Sequence, residues 1–295
     1  MNLSGMYLDD TRAVLQVKGD DARGFLQGLV SNDMGKVVPG RGIFAALLTP
    51  QGKIITDFFV AAHDGTFLID VSKERAADLL RRLTLYRLRA KIAISDLSST
   101  HASALAMGEL PAPPEGVEIF PDPRDAALGQ RLMGPRAALL HLVAAAPPLD
   151  LAAHERLRIT RHVPASGDLE PERFFLLDVN FEETHGVDFR KGCYVGQEVT
   201  SRMKHRASTR KRLVAILGHG HGHAQTPPPG TPVMAADHAI GELRSAAITA
   251  SGYVALAQLR LDHLADAIAA GTPLTCGGNR IEVDKDEWWR AVLPA

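Results

Sequence analysis

The sequence contains little cysteine. Among 295 residues, only Cys193 and Cys276 carry a thiol. Two thiols are too few for a disulfide framework, for a cysteine zinc site or for an iron–sulfur cluster held by this chain alone. Glycine and histidine alternate in residues 218–223, but such a run has no preset geometry for a metal ion, and no carboxylate lies nearby in the sequence. We therefore predict no metal site.

The chain also lacks an excess of charge of one sign and a long apolar run. Its 33 basic and 34 acidic residues give a formal net charge of -1, so global charge directs it neither to nucleic acid nor to an anionic membrane. No apolar run approaches the ~20 residues that cross a bilayer. The first twelve residues, MNLSGMYLDDTR, lack the apolar core of a signal peptide. These absences predict a cytoplasmic protein that does not bind membranes.

The order of predicted elements indicates an α+β fold with two parts. Several strands in the first two thirds have hairpin-short connections, which favour antiparallel or mixed sheets over a doubly wound parallel sheet. From residue 213 onward, short apolar segments alternate with turns rich in glycine and proline, as in a small β-barrel. We predict domains over residues 1–210 and 211–295. Predicted strands cover residues 13–17, 44–48, 54–60, 67–71, 91–97, 213–217, 232–235, 239–244, 252–259 and 280–283, and predicted helices cover residues 20–30, 73–86, 136–146 and 152–161.

Residues 190–199, RKGCYVGQEV, form the most unusual segment. Glycines on both sides of Cys193 allow the main chain to approach a ligand closely. Lys191 and the arginine before it would favour the thiolate of Cys193 and make it reactive. Gln197 and Glu198 offer an amide and a carboxylate that can read the edge of a heterocycle. The alternative is a tight turn that buries a small cysteine and begins a helix at Gln197, and spacing alone favours this alternative.

The next stretch, residues 199–214, is basic and contains no acidic residue. It is either a solvated loop that leads into the barrel or an anion site for carboxylates or phosphates. No Phe, Tyr or Trp lies among its cations, which argues against stacking on single-stranded RNA. The basic side chains are Arg202, Lys204, His205, Arg206, Arg210, Lys211 and Arg212.

Residues 191–198, KGCYVGQE, resemble the signature of the YgfZ family. Residues 22–38 and 47–60 resemble the amino-terminal helix and hairpin that this family shares with the aminomethyltransferases of glycine cleavage. The resemblance covers nearly the whole chain. It implies a three-domain ring of two mixed α/β subdomains with largely antiparallel sheets and a C-terminal β-barrel. It also implies tetrahydrofolate as a ligand and a role in iron–sulfur cluster assembly or repair that supports iron–sulfur enzymes, including those that modify tRNA.

The same resemblance implies the site residues and partners. Cys193 would be the reactive centre, with Lys191 beside it. The partners would be folate and iron–sulfur proteins or their assembly factors, and we expect a monomer. The implied folate-binding residues are Asn32, Asp178, Asn180, Glu182, Tyr194, Gln197, Glu198 and Arg202.

Two positions depart from the aminomethyltransferases. In those enzymes the hairpin carries two successive acidic residues, of which the first is catalytic; this chain has Thr56 there, followed by Asp57. A threonine cannot take up a proton near neutral pH as a carboxylate does. The enzymes also carry a pterin-holding glutamate near the position of Thr160, and we expect Asp178 or Glu182 to replace it. The resemblance therefore implies an accessory factor, and a folate-dependent one-carbon transferase is the alternative.

Overall fold

The computed structural model describes residues 3–110, 112–206, 210–219 and 226–283. The chain forms two compact units, and neither is continuous in sequence. The first consists of Met1–Asp150, Pro171–Arg173 and Glu182–Gln197, and the second of Leu151–Glu170, Phe174–Phe181 and Glu198–Ala295. Among the described residues, no helix is long and apolar enough to span a membrane.

In its described residues, the first unit contains two sheets and three α-helices. Its elements are β1 (Gly5–Leu8), β2 (Arg12–Lys18), α1 (Ala22–Gln27), β3 (Ile43–Leu48), β4 (Ile54–His63), β5 (Thr66–Ser72), α2 (Lys73–Tyr86), β6 (Ala93–Asp96), β7 (His101–Met107), β8 (Glu118–Pro121), β9 (Gln130–Pro135) and α3 (Arg136–Ala145). The strands pair in the orders β3-β4-β5-β2-β6 and β1-β7-β9-β8, and all these pairs are antiparallel.

Helical spacing explains how the five-stranded sheet is covered. In α2, Ala76, Leu79 and Leu83 recur every three or four residues and are buried, so they form one apolar stripe. This stripe packs in the same core as Leu15 of β2 and Phe58 of β4. The four-stranded sheet has a separate core, to which α3 contributes.

The second unit contains a closed β-barrel and helices. Its elements are α4 (Leu151–Thr160), α5 (Gln197–His205, whose first residue belongs to the first unit), β10 (Lys211–His219), β11 (Pro232–Ala235), β12 (His238–Thr249), β13 (Gly252–Arg260), α6 (Leu261–Ala269), β14 (Leu274–Cys276) and β15 (Asn279–Val283). The barrel strands pair in the order β10-β13-β12-β11-β14-β15. The predicted α+β class, the largely antiparallel sheets and the C-terminal barrel are confirmed. The barrel begins next to the predicted boundary at residue 210, whereas the compact unit also includes α4 and residues 174–181.

Candidate functional site

The ammonium group of Lys191 lies in a cage of main-chain carbonyls. Its Nζ donates to the carbonyl oxygens of Gln27 at 2.7 Å, Val30 at 2.5 Å and Asn32 at 3.0 Å. An ammonium has three donors, so these bonds use all of them. Gln27 is the last residue of α1, where carbonyls lack partners within the helix and attract a cation. Burial lowers the pKa of Lys191 to about 8.

Residues 31–33 connect the same segment to β3. The Ser31 hydroxyl donates to the Gly186 carbonyl at 2.6 Å and accepts from the Ala46 amide at 2.9 Å. The Asn32 amide nitrogen donates to the carbonyls of Phe44 at 2.8 Å and His185 at 2.7 Å. The bonds to the Gly186 and His185 carbonyls join residues 155 and 153 apart in the sequence, so Ser31 and Asn32 hold the fold of this segment.

Cys193 is exposed between two fixed points of the first unit. On its amino-terminal side stands the caged Lys191. On its carboxyl-terminal side, Gly196 has φ +83°, and an added Cβ would lie 2.7 Å from the Thr49 carbonyl oxygen. Gly192 has open space around it. The structure therefore presents the Cys193 thiol to solvent on a supported segment. Lys191 was predicted to act beside this thiol, but all three donors of its ammonium bond to main-chain carbonyls.

Tyr194 and Gln197 stabilise the turn that follows Cys193. The Lys191 ammonium lies 4.8 Å from the centre of the Tyr194 ring, a cation–π contact. The side-chain oxygen of Gln197 accepts from the Tyr194 amide at 3.2 Å. Of the predicted site residues, the structure thus brings together Asn32, Lys191, Tyr194 and Gln197 in the first unit, around Cys193.

A cleft of about 560 Å³ lies beside Asn32 within the first unit. Its polar lining includes Lys36, Arg41, Asp122 and His185. Lys36 forms an ion pair with Asp188 at 2.7 Å, which ties the residues after α1 to the stretch just before Lys191.

Asp122 belongs to a buried ionic cluster that the sequence analysis missed. Its carboxylate accepts two bonds from the Arg124 guanidinium, at 3.0 and 2.8 Å, and one from Arg131 at 2.9 Å. Arg131 also contacts Asp70 of β5 at 3.3 Å, and Asp70 pairs with Arg12 of β2 at 2.5 Å. Burial alone would raise the pKa of Asp122, but the two guanidinium groups lower it well below its usual range. The signal in the sequence was Asp70, a charge in the middle of the apolar run TFLIDVS.

In the second unit, Asn180 has a role in the fold. It adopts φ +62° after a short 3-10 turn over Leu176–Val179. Its amide nitrogen donates to the carbonyls of His162 and Leu213, each at 2.9 Å, and its oxygen accepts from the Leu213 amide at 3.1 Å. Both amide hydrogens of Asn180 are therefore directed at the main chain, and a folate contact by this residue stays a prediction.

The other predicted side chains differ in their accessibility. Asp178, in the second unit, and Glu182, in the first, are half-buried. Glu198 and Arg202 are exposed and form an ion pair with each other one turn apart on α5. The basic stretch does not form one surface, because Arg212 is buried and donates to the Leu177 carbonyl at 2.6 Å; residues 207–209 lie outside the described residues.

Thr56 and Asp57 are both buried in β4. The Thr56 hydroxyl donates to the Asp57 carbonyl at 3.3 Å. Among the residues that the structure describes, no group of three or more His, Cys, Asp or Glu side chains could hold a metal ion. Residues 220–223 of the histidine run lie outside that part of the chain.

Comparison with known proteins gives the fold independently. The sequence matches the GCVT N-terminal domain over residues 9–109 and the CAF17 C-terminal beta-barrel domain over residues 210–291. The structure is similar to the crystal structure of glycine cleavage system aminomethyltransferase T from Bartonella henselae, with a TM-score of 0.72 and 16% identity. That likeness covers 96% of this chain and 85% of the enzyme, and at this identity it shows the fold alone.

Relatives named iron-sulfur cluster assembly factor IBA57 or its homolog match much of the sequence. The one from Mycosarcoma maydis is 36% identical over 75% of this chain, and the one from Pyricularia oryzae 34% over 72%. This chain spans 58% and 57% of the length of these two relatives. The mouse protein is 30% identical, over 86% of this chain and 77% of its own length.

The names of these relatives correct the predicted location. All three are named as mitochondrial, so the prediction of a cytoplasmic protein is wrong. That prediction rested on the lack of a signal-peptide core, of a bilayer-length apolar run and of a disulfide framework, and these features do not distinguish the cytoplasm from another reducing compartment. With a GCVT-type amino-terminal domain, a CAF17-type barrel and 30% identity over most of the mouse protein, the chain belongs to the CAF17/IBA57 family.

Proposed function

We propose that the protein is an iron–sulfur cluster assembly factor that works through the thiol of Cys193. The carrying observation is that Cys193 is exposed between the caged Lys191 and the closely packed Gly196. Such support holds a thiol at a defined place on the surface without burying it. The names of the relatives support this role and extend it to partners among the iron–sulfur assembly proteins.

The count of thiols indicates how a cluster would be bound. Iron–sulfur clusters are held mainly by cysteine thiolates, typically four. This chain has two cysteines, and Cys276 is fully buried in the barrel. The chain can therefore offer one accessible thiolate, and the remaining ligands would come from a partner protein or a small thiol.

Rescue of cells that lack the natural protein tests this proposal. The unaltered chain is expected to restore the activity of iron–sulfur enzymes, tRNA-modifying ones among them, whereas Cys193→Ser is expected to fail while folding normally. Cys276→Ala is the matched control, because it removes the other thiol. Full rescue by Cys193→Ser would contradict the proposal, because the function would then not need this thiol.

We further propose that the protein binds tetrahydrofolate, as YgfZ-type proteins would. A pterin edge carries N–H groups, and a carboxylate can accept hydrogen bonds from them. Asp178 and Glu182 are half-buried carboxylates, which suits this task, whereas the amide hydrogens of Asn32 and Asn180 that donate to main-chain carbonyls serve the fold. When bound, the folate would supply one-carbon chemistry; the chain's own part would be to hold the pterin by Asp178 and the tail by Arg202, both in the second unit, with Glu182 of the first unit as the alternative carboxylate.

Titration calorimetry with tetrahydrofolate tests this second proposal. We expect measurable heat from the unaltered chain, a weaker affinity for either Asp178→Asn or the alternative Glu182→Gln, and no change for Glu74→Gln on the surface of α2. Arg202→Ala should lose affinity mainly for polyglutamylated folate, and this loss should shrink with salt because the site is exposed. The absence of heat from folded protein would remove folate from the function and leave the role of Cys193 standing.

A further inference from the structure

We propose that residues 85–91, LYRLRAK, form a docking surface for an acidic protein segment that carries leucine-like side chains. This basic-leucine loop, as we call it, joins the end of α2 to β6 in the first unit. It uses none of the residues on which the iron–sulfur or folate proposal rests. The inference therefore goes beyond the proposed function and stands or falls separately.

The first observation is the conformation and exposure of Leu88. Its φ is +45°, in the left-handed region that costs a residue with a Cβ free energy and suits glycine or asparagine. Its side chain is 86% exposed, and the nearby Leu85 is 64% exposed. Side chains in water contribute almost nothing to the folded chain through apolar burial. Strain and exposure together at a large apolar residue point to a contact with something outside the chain.

The second observation is a set of cations around these leucines. Arg87, Arg89 and Lys91 of the loop line a shallow, open depression of the surface together with Lys18 at the end of β2. None of the four forms an ion pair within the described part of the chain. Asp21, whose carboxylate accepts from the Lys91 amide, is the acidic group that the structure shows bonded to the loop. In a chain with a net charge of -1, such a concentration of unpaired cations fits a partner that brings carboxylates.

The third observation is the sheet edge beside the loop. β6 is an edge strand that pairs with β2, and its first residue, Ala93, also lines the depression. An edge strand offers main-chain groups to an extended segment of another protein. A partner segment that lies along this edge would place its carboxylates near the cations and its apolar side chains near Leu88.

These features favour a protein segment over RNA. Single-stranded RNA binds basic surfaces on which several aromatic side chains stack against the bases. The loop has one aromatic residue, Tyr86, which is 37% exposed, and its most exposed large apolar side chains are leucines. Exposed aliphatic side chains surrounded by charges are typical of a protein interface, where a few apolar residues supply most of the affinity.

Fluorescence anisotropy with a dye-labelled peptide of glutamates, with leucine at every fourth position, tests the proposal. We expect Arg87→Glu, Arg89→Glu and Leu88→Gly each to weaken the affinity of this peptide about fivefold or more. Lys73→Glu, at the other end of α2, and Leu140→Ser, an exposed leucine of α3, are matched controls that should bind normally. Cys193→Ser should also bind normally, which separates this test from that of the iron–sulfur role.

The melting temperature of Leu88→Gly gives a second test, because this substitution should not lower thermal stability although it lowers peptide affinity. Glycine relieves the positive φ, so this variant should melt at the same temperature as the unaltered chain or higher while it binds the peptide less well. A lower melting temperature would show that Leu88 serves the fold. Equal affinities across the variants, no binding at millimolar peptide, equal binding of a peptide with serine for leucine, or preferential binding of oligouridylate would each overturn the proposal.

Discussion

Two opposing effects act on the charged form of the buried Lys191 ammonium. Burial penalises its charge, while three carbonyl oxygens within 3.0 Å accept its hydrogens. Replacing it by methionine removes the charge and leaves three carbonyls without their donor. We expect Lys191→Met to lower the free energy of unfolding by about 2–4 kcal/mol. Urea denaturation measures this, and Lys73→Met on the exposed start of α2 should change it little.

The lowered pKa of Lys191 predicts in which direction the free energy of unfolding changes with pH. The pKa of Lys191 is lowered to about 8 from an ordinary value of 10.5. Between these pH values the unfolded chain binds more protons at this site than the folded chain, so the free energy of unfolding should rise with pH in this window. This rise should be absent in Lys191→Met, and the difference between the two denaturation series isolates it. If the contribution of Lys191 to the free energy of unfolding fell between these pH values instead, the carbonyls would favour the charged form more than burial opposes it.

The two thiols should differ sharply in reactivity. Cys193 is exposed, whereas Cys276 is fully buried and burial raises its pKa. Iodoacetamide at neutral pH should therefore modify Cys193 faster by about a hundredfold or more, because Cys276 reacts only when the barrel opens. Mass spectrometry of timed samples gives both rates. Similar rates in the folded chain would contradict the burial of Cys276.

At the scale of elements, the two glycines around Cys193 make a matched pair. Gly196 has a positive φ and faces the Thr49 carbonyl, so Gly196→Ala should cost about 2 kcal/mol or more and move the signature segment. Gly192 has open space, so Gly192→Ala should be neutral within about 1 kcal/mol. Denaturation gives both values. Equal effects of the two substitutions would mean that Gly196 does not pack against the β3–β4 turn as described.

The ionic cluster joins the two sheets of the first unit. Asp122 follows β8, Arg131 lies in β9, and Asp70 and Arg12 lie in β5 and β2. Asp122→Asn leaves two buried guanidinium groups undercompensated, so we expect a loss of about 3–5 kcal/mol. Since the folded pKa of Asp122 is lowered, its stabilisation is present above the ordinary pKa of an aspartate and is lost as pH falls through the folded value. Asp10→Asn at an exposed ion pair is the control and should change stability by less than about 1 kcal/mol.

Local sequence patterns predicted the five-stranded sheet and the barrel well, and the four-stranded sheet poorly. β4 and β5 are rich in branched and aromatic residues, and α2 has a clear apolar stripe, so residues 54–60, 67–71 and 73–86 were found. β7, with the sequence HASALAM, places alanine on its buried face, which gives a weak apolar alternation. β1, β8 and β9 are short and include glycine or proline. These strands are specified by their pairing with one another, which no local window contains.

The site shows the same division between local and distant information. The sequence indicated that the segment around Cys193 matters, because glycines, a thiol and cations are close together in it. It could not indicate that Lys191 bonds to the carbonyls of Gln27 and Val30, since main-chain acceptors leave no mark in the residue types. Lys191 and Asn180 were therefore interpreted as ligand-facing groups, whereas in the structure their polar atoms bond to distant parts of the main chain.

At the scale of the whole molecule, the second unit extends beyond the barrel strands. The Leu213 and Ala215 amides of β10 are bound by Asn180 and His162, which precede the predicted boundary. A fragment that begins at Leu151 should therefore give well-dispersed amide resonances, while one that begins at Lys211 should not. Heteronuclear NMR of the two fragments measures this. A dispersed spectrum from the shorter fragment would favour an independent domain over residues 211–295.

The bonds between residues 27–32 and Lys191 also have a consequence for synthesis. The first unit cannot close these bonds until residue 191 has left the ribosome, although its sheets are complete by residue 135. At ordinary elongation rates the delay is on the order of seconds, which is long compared with the folding of a small domain. During that interval the Gln27, Val30 and Asn32 carbonyls lack the Lys191 ammonium, and the Ser31 and Asn32 side chains lack the carbonyls of residues 186 and 185. The nascent chain is therefore a predicted client of chaperones at the ribosome, and a pause in translation shortly before residue 191 would lengthen its exposure.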